Sequence, residues 1–171
     1  MTSGTLENLA LVLGHAASGK SDHAEALVRA TGLPRAYVAT ARALDAEMAA
    51  KVAAHAVARG PGWRLVEAPT DLAAACADAT GAVLVDCATM WLTNLAMDGV
   101  DWRAPAEAWL AAMAAAPARF VVVSNDVGGG VTPANAMARA FQRDQGALNR
   151  RLAAAAARVE LVTAGLPQRL K

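Results

Sequence analysis

The sequence predicts one α/β domain with a mainly parallel sheet flanked by helices. Apolar runs with strand character alternate with alanine-rich helical stretches along all 171 residues, the pattern of strand–helix–strand units. The first run, Leu9-Ala-Leu-Val-Leu13, is continuously apolar and suits a strand buried on both faces. It leads into Gly14-His-Ala-Ala-Ser-Gly-Lys-Ser21, a glycine-bounded turn ahead of a helical segment, Asp22 to Ala30. Strand, glycine turn and helix in that order is the setting of a phosphate-binding loop.

The remaining elements follow from their own signals. Thr31-Gly-Leu-Pro34 stops the first helix and turns the chain. Ala36 to Ala39 reads as a second strand ending at Thr40, and Ala43 to Arg59 as a helix closed by Gly60-Pro61. Trp63 to Glu67 reads as a short strand, and Thr70 as the cap of a helix running to about Asp78. Ala82 to Val85 is a buried strand ending at Asp86, followed by helices over Thr89 to Met97 and Pro105 to Ala115. Phe120 to Ser124 is the next strand, and Asn125 to Pro133 a glycine-rich loop. Ala134 to Ala157 reads as helical with a candidate break at Gly146, Val159 to Thr163 as a strand, and Leu170 as a candidate edge pairing.

Composition narrows the function classes. Sixteen basic against fifteen acidic residues leave a formal charge of +1, with no electrostatic footprint for nucleic acid or an anionic membrane. No apolar run approaches the roughly 18 residues of a membrane-spanning helix, and the polar start, Met1 to Asn8, has no signal-peptide pattern. Cys76 and Cys87 stand alone, so neither a disulfide framework nor a metal pair is expected, and a reducing, cytoplasmic setting fits.

In such a sheet ligands sit beyond the carboxyl ends of the strands. The residues to examine there are Gly14, Thr40, Glu67, Asp86, Asn125 and Asp126. The turn from Gly14 through His15, Ala16, Ala17, Ser18, Gly19, Lys20 and Ser21 can aim successive backbone N–H groups at phosphate oxygens. The amino end of the helix adds its partial positive charge. Lys20 can reach the β- and γ-phosphates, and the Ser21 hydroxyl can ligate Mg²⁺. Asp86, closing Val-Leu-Val, is the second nucleotide signature, an acidic group to hold the same Mg²⁺.

Lys51, His55 and Arg59 recur at i, i+4 and i+8 and share one helix face. An imidazole between two cations suits a phosphorus centre, because the neighbouring charge disfavours imidazolium and a neutral ring is a nucleophile. The spacing also fits a packed or solvated histidine among cations that the end of a helix favours anyway. His15 lies inside the phosphate loop. His23 is expected on the surface of the first helix, partnered by Asp22 and Glu25. Trp63, Trp91, Trp102 and Trp109 suit core or subunit contacts, with a stacking surface for a planar ligand as the alternative.

Beyond these motifs, the chain resembles the bifunctional adenosylcobinamide kinase/adenosylcobinamide-phosphate guanylyltransferase family of cobalamin biosynthesis, nearly end to end. The resemblance rests on the phosphate loop with His23-Ala-Glu25, on Tyr37-Val-Ala-Thr40, and on Asp45-Ala-Glu-Met48 leading to His55, Arg59, Trp63 and Glu67. It continues through Val85-Asp-Cys87, Trp91-Leu-Thr-Asn94, Val123-Ser-Asn-Asp-Val-Gly128, Val131-Thr-Pro133, Arg143-Asp144, Asn149 and the ending Ala164 to Lys171.

The resemblance implies a recombinase-like P-loop NTPase core, a homotrimer, and two reactions. ATP or GTP phosphorylates adenosylcobinamide; GTP then gives GMP to the product, releasing pyrophosphate. It implies His55 as the guanylylated residue, with guanine-nucleotide contacts on the phosphate loop, Thr40, Ala41, Ala56, Val57, Ala58, Arg59, Glu67 and Asp86. In a trimer the tryptophans would have an interface role. His15 and Ala17 replace the second glycine and the arginine usual in the family's loop, and Asp126 replaces its common glutamate. Two other readings compete: a P-loop small-molecule kinase without covalent guanylylation, and a recombinase-like binding module.

Overall fold

Pleating divides each apolar run between two faces, and both faces are covered. From the first strand, Leu9 and Leu11 enter one core while Val12 enters the other. The computed structural model describes residues 6–42, 50, 57 and 60–171. The helix expected over Ala43 to Arg59 therefore lies, but for residues 50 and 57, outside the described residues.

The described elements are β1 (Leu6–Gly14), α1 (Lys20–Ala30), β2 (Arg35–Ala39), β3 (Trp63–Glu67), α2 (Leu72–Ala77), β4 (Gly81–Asp86), α3 (Ala88–Met97), α4 (Arg103–Ala115), β5 (Ala118–Asn125), α5 (Ala136–Ala155), β6 (Ala156–Thr163) and β7 (Leu166–Arg169). They form an α/β fold around a seven-stranded sheet of order β3-β2-β4-β5-β1-β6-β7. Every pairing is parallel except the last, where β7 turns back on β6. The loops after β1, β4 and β5 thus emerge side by side at the carboxyl edge.

α1 covers one face, packing Ala24 and Val28 with Val12, Leu84, Val121 and Val123. The opposite face carries the larger core, where Trp91, Trp109, Phe120, Met113 and Leu148 are fully buried. The Trp91 and Trp109 rings sit 5.5 Å apart, and the Trp91 indole N–H donates to the Thr70 carbonyl at 2.7 Å. Trp102 is buried in the same core. Trp63 is half-buried, edge-on to Tyr37 and flanked by the guanidiniums of Arg29 and Arg35. Three of the four tryptophans, Trp91, Trp102 and Trp109, are therefore core residues of this chain, as the core reading expects, and have no surface for the interface role; Trp63 keeps part of its surface exposed.

Three further expectations change. Asp71, not Thr70, caps α2, its carboxylate accepting from the Ala74 N–H at 2.9 Å. α5 runs unbroken through Gly146 and gives way to β6 at Ala156. Its start is capped by the Asn135 side chain, which accepts from the Met137 and Ala138 N–H groups. The partner of His23 is neither Asp22 nor Glu25: its Nε2 donates to Glu160 on β6 at 2.8 Å. No described helix is long and apolar enough to cross a membrane.

Candidate active site

Gly14 closes β1 and opens the turn to α1. A Cβ there would lie 2.3 Å from Ser18 Oγ and 2.8 Å from the Val162 carbonyl, so the close approach of loop and sheet requires glycine. Ser18 is buried, and among the described residues its Oγ has no hydrogen-bond partner. His15, Ala16 and Ala17 are exposed, while Gly19, Lys20 and Ser21 are half-buried at the amino end of α1. Lys20 Nζ donates to the His15 carbonyl at 3.0 Å, folding the side chain back along the loop.

Asp86 closes β4 on the face that α1 covers, two residues beyond Leu84. The Tyr37 hydroxyl donates to its Oδ2 at 3.0 Å. The Asp86–Cys87 peptide bond is cis. Burial, followed by the Asp86 charge, pushes the Cys87 thiol up to about 11. That thiol is protonated at neutral pH and is no nucleophile. Burial likewise pushes Cys76 to about 11.

Thr40 ends beside Asp86 but presents no surface. It is fully buried, its hydroxyl donates to the Cys87 carbonyl at 2.8 Å, and it accepts from the Cys87 N–H at 2.7 Å. Asn94 on α3 donates to the Thr40 and Pro69 carbonyls, both at 2.8 Å. Ala41 is half-buried, and Glu67 is exposed at the end of β3. Arg42 is clamped to Asp98 by two hydrogen bonds of 2.9 and 2.6 Å, which hold the Asp98 carboxyl below its ordinary value. Val57 is exposed; Lys51, His55, Ala56, Ala58 and Arg59 lie outside the described residues.

Between the strands of Gly14 and Asp86 runs β5, whose last residue, Asn125, pairs with Gly14 in register. The loop after it leans on the phosphate loop. The Asp126 N–H donates to the Gly14 carbonyl at 3.1 Å, and His15 Nδ1 donates to the Asp126 carbonyl at 2.8 Å. The phosphate loop is also braced from the other side, where the Gly165 N–H donates to the Ser18 carbonyl at 2.8 Å. Sequence reasoning did not find this brace. The available signal was Ala164-Gly165 between two strand-like runs, a two-residue hairpin turn; both residues have positive φ, 51° and 78°.

Two cavities of about 600 Å³ lie away from this cluster. One is at the amino ends of β1 and β5; the other is an apolar groove between α3, α4 and α5. No phosphate-loop residue lines either.

The cluster can hold a phosphate chain against backbone N–H groups, a lysine and a helix amino end, with a carboxylate two strands away. Comparison with known proteins agrees. The family model described as cobinamide kinase / cobinamide phosphate guanyltransferase matches residues 10–170. A bifunctional adenosylcobalamin biosynthesis protein, CobP, of Pseudomonas aeruginosa is 41% identical over 166 residues, covering 94% of this chain and 96% of its own length. The corresponding CobU proteins of Escherichia coli and Salmonella typhimurium are 38% and 37% identical, each covering 94% of this chain and 98% of its own. Cradle, sheet order and end-to-end similarity agree: the chain belongs to the cobinamide kinase / cobinamide phosphate guanyltransferase family.

Proposed function

We propose that one domain, residues 1–171, performs two successive transfers. A nucleoside triphosphate, ATP or GTP, phosphorylates the hydroxyl of adenosylcobinamide; GTP then delivers GMP to that phosphate through a histidine-bound intermediate. The observation that carries this reading is that Gly14, Asn125 and Asp86 close three neighbouring strands at their carboxyl ends, Gly14 opposite Asn125 and Asp86 opposite Val123, with Lys20 and Ser21 opening α1 beside them. Gly14 to Ser21 cradle the phosphates. Ala41, residues 56–59, Glu67 and Asp86 complete the nucleotide contacts, and Thr40 supports them from beneath.

The Ser21 hydroxyl and the Asp86 carboxylate are hard oxygen donors of the kind Mg²⁺ takes, one carboxylate oxygen being steadied by Tyr37. An ion held there neutralises the charge that opposes attack on phosphorus. Lys20 adds a fixed cation for the phosphates as negative charge shifts to the leaving group.

In the second transfer an imidazole nitrogen of His55 attacks the α-phosphorus of GTP. The N–P bond forms as the bond to the α–β bridging oxygen breaks, and pyrophosphate departs. An oxygen of adenosylcobinamide phosphate then attacks the same phosphorus, breaking the P–N bond and returning the imidazole. Lys51 and Arg59, one helical turn to either side by spacing, hold phosphate oxygens and keep the ring neutral.

The experiment is incubation with GTP labelled at the α-phosphate. An acid-labile, alkali-stable adduct at His55, absent from His55→Asn, supports the covalent route. No adduct, with His55→Asn guanylylating at full rate, leaves the kinase without covalent guanylylation. The near-neutral charge argues against nucleic acid as a partner. A cytoplasmic setting suits two buried free thiols. A homotrimer is the assembly the resemblance implies, built on surfaces other than the core tryptophans, and light scattering after size-exclusion chromatography reads it directly.

A further inference from the structure

Asn125 is mounted with unusual care. Its backbone N–H donates to Thr89 Oγ1 on α3 at 2.8 Å, and its carbonyl accepts from Asn149 Nδ2 on α5 at 3.0 Å. Asn149 is in turn held by Ser124, whose hydroxyl donates to Asn149 Oδ1 at 2.6 Å, and by Gln145, which donates to the same oxygen at 2.9 Å. Side chains from two helices thus pin both sides of one residue. Yet the Asn125 Oδ1 atom is buried and, among the described residues, accepts no hydrogen bond. A buried acceptor left unpaired costs stability, so a rigid mount holding one suggests a group kept ready for a ligand.

The direction of that side chain follows from the pleat. Ser124 faces α5, and Val121 and Val123 face α1, so Asn125 faces α1. Val12 and Leu84 face α1 too, which puts Gly14 and Asp86 on that same side. A triphosphate held by the loop after β1, with its far end directed toward Asp86 on β4, must pass over the end of the strand between them. That strand is β5, and the residue at its end is Asn125.

We propose that Asn125 is a catalytic residue of the phosphorylation step: Oδ1 accepts a hydrogen bond from the attacking substrate hydroxyl, and Nδ2 donates to an oxygen of the γ-phosphate. The inference rests on the reading that a hydroxyl is phosphorylated at this loop. The hydroxyl oxygen bonds to the γ-phosphorus as the bond to the β–γ bridging oxygen breaks, the electron pair leaving on the nucleoside diphosphate. The hydroxyl proton passes to an oxygen of the transferred phosphoryl group and then to water. A carboxamide takes no proton here. It aligns the nucleophile and stabilises charge on the equatorial oxygens, which is most of what phosphoryl transfer asks of a protein.

The test compares Asn125→Ala, Asn125→Asp and Asn125→Thr with the unaltered full chain. For Ala and Asp, kcat for adenosylcobinamide phosphorylation is expected to fall about 100-fold, while the affinity for a non-hydrolysable triphosphate analogue falls less than 3-fold in Ala. Thr keeps a donor and an acceptor and restores part of the rate. Thermal stability of Ala equals or exceeds that of the unaltered chain, because an unpaired acceptor has been removed; a purely structural asparagine would show the opposite. The nearly isosteric Asp variant keeps the test valid should Ala fold poorly. Unchanged kcat in Ala and Asp, or loss of stability together with loss of analogue binding, overturns the assignment. An unaltered chain that fails to phosphorylate adenosylcobinamide overturns the underlying reading instead.

Discussion

The backbone N–H of Gly165 donates to the carbonyl of Ser18 at 2.8 Å, so the turn joining the last two strands closes directly on the phosphate loop. Contact is tight, because a Cβ on Gly19 would stand 3.1 Å from the Gly165 Cα. The antiparallel β7 has a clear consequence: by pairing Thr163 with Leu166 it fixes the two-residue turn that braces the loop. Gly165→Ala should therefore weaken nucleotide binding. At φ 78° the new side chain meets no atom within 4 Å, so strain is the sole cost, about 1–2 kcal/mol. Gly32→Ala, at φ 68° and equally unobstructed, is the matched control. Both variants should lose similar stability in urea, but only Gly165→Ala should raise the Kd for a triphosphate, by about 3- to 10-fold. Equal Kd values in the two would show that the turn does not brace the loop.

A second brace ties α1 to β6 and responds to acid. Burial opposes ionisation of Glu160, but hydrogen bonds from Arg158 at 2.7 Å and His23 at 2.8 Å outweigh it and hold its carboxyl below the ordinary 4.5. A carboxylate with a lowered folded-state pKa adds stability above its unfolded value, and that stability drains away as pH falls through the folded value. Glu160→Gln should thus be less stable than the unaltered chain at pH 7, with the gap closing as pH drops below 4.5. Urea midpoints across pH 3 to 8 measure it. A gap that stays constant over that range would show that ionisation of Glu160 contributes nothing.

The sheet was legible because buried parallel strands leave long apolar runs, and the phosphate loop because its glycines and Lys20 occur at a spacing that few other structures need. What escaped the sequence depends on distance along the chain. The donation from His23 to Glu160 spans 137 positions, and no local pattern announces it. Gly146 is a candidate helix break in the sequence, but a buried stripe of Gln145, Leu148 and Leu152 carries α5 unbroken through it, outweighing glycine's intrinsic cost of about 1 kcal/mol. The tryptophans were ambiguous because exposure is a tertiary property. Asn125 is legible as a strand-ending residue, but its backbone is pinned by side chains of α3 and α5, which only the fold brings to it, and that its side-chain oxygen is buried without a partner shows only in the fold.

Thr40 and Cys87 supply the remaining test, of what holds Asp86 in place. The resemblance assigns Thr40 to the nucleotide, whereas in the fold its hydroxyl satisfies both backbone groups of Cys87 and none of its surface is exposed. Thr40→Val keeps the shape and removes the hydroxyl, leaving the buried Cys87 N–H unpaired at the residue after Asp86, while the Cys87 carbonyl keeps only the Trp91 N–H at 3.2 Å. The unpaired N–H costs about 1–3 kcal/mol, against about 1 kcal/mol for the methyl lost in Thr40→Ser. The Val variant should accordingly be the less stable of the two. It should also phosphorylate more slowly, because the residue after Asp86 loses its side-chain tie to Thr40 and only the strand pairing with Ala39 and the Tyr37 hydroxyl still hold Asp86. The Ser variant keeps both hydrogen bonds and should retain near-normal kcat. If Val and Ser prove equally stable and equally active, the paired hydrogen bonds to Cys87 are not what positions the carboxylate.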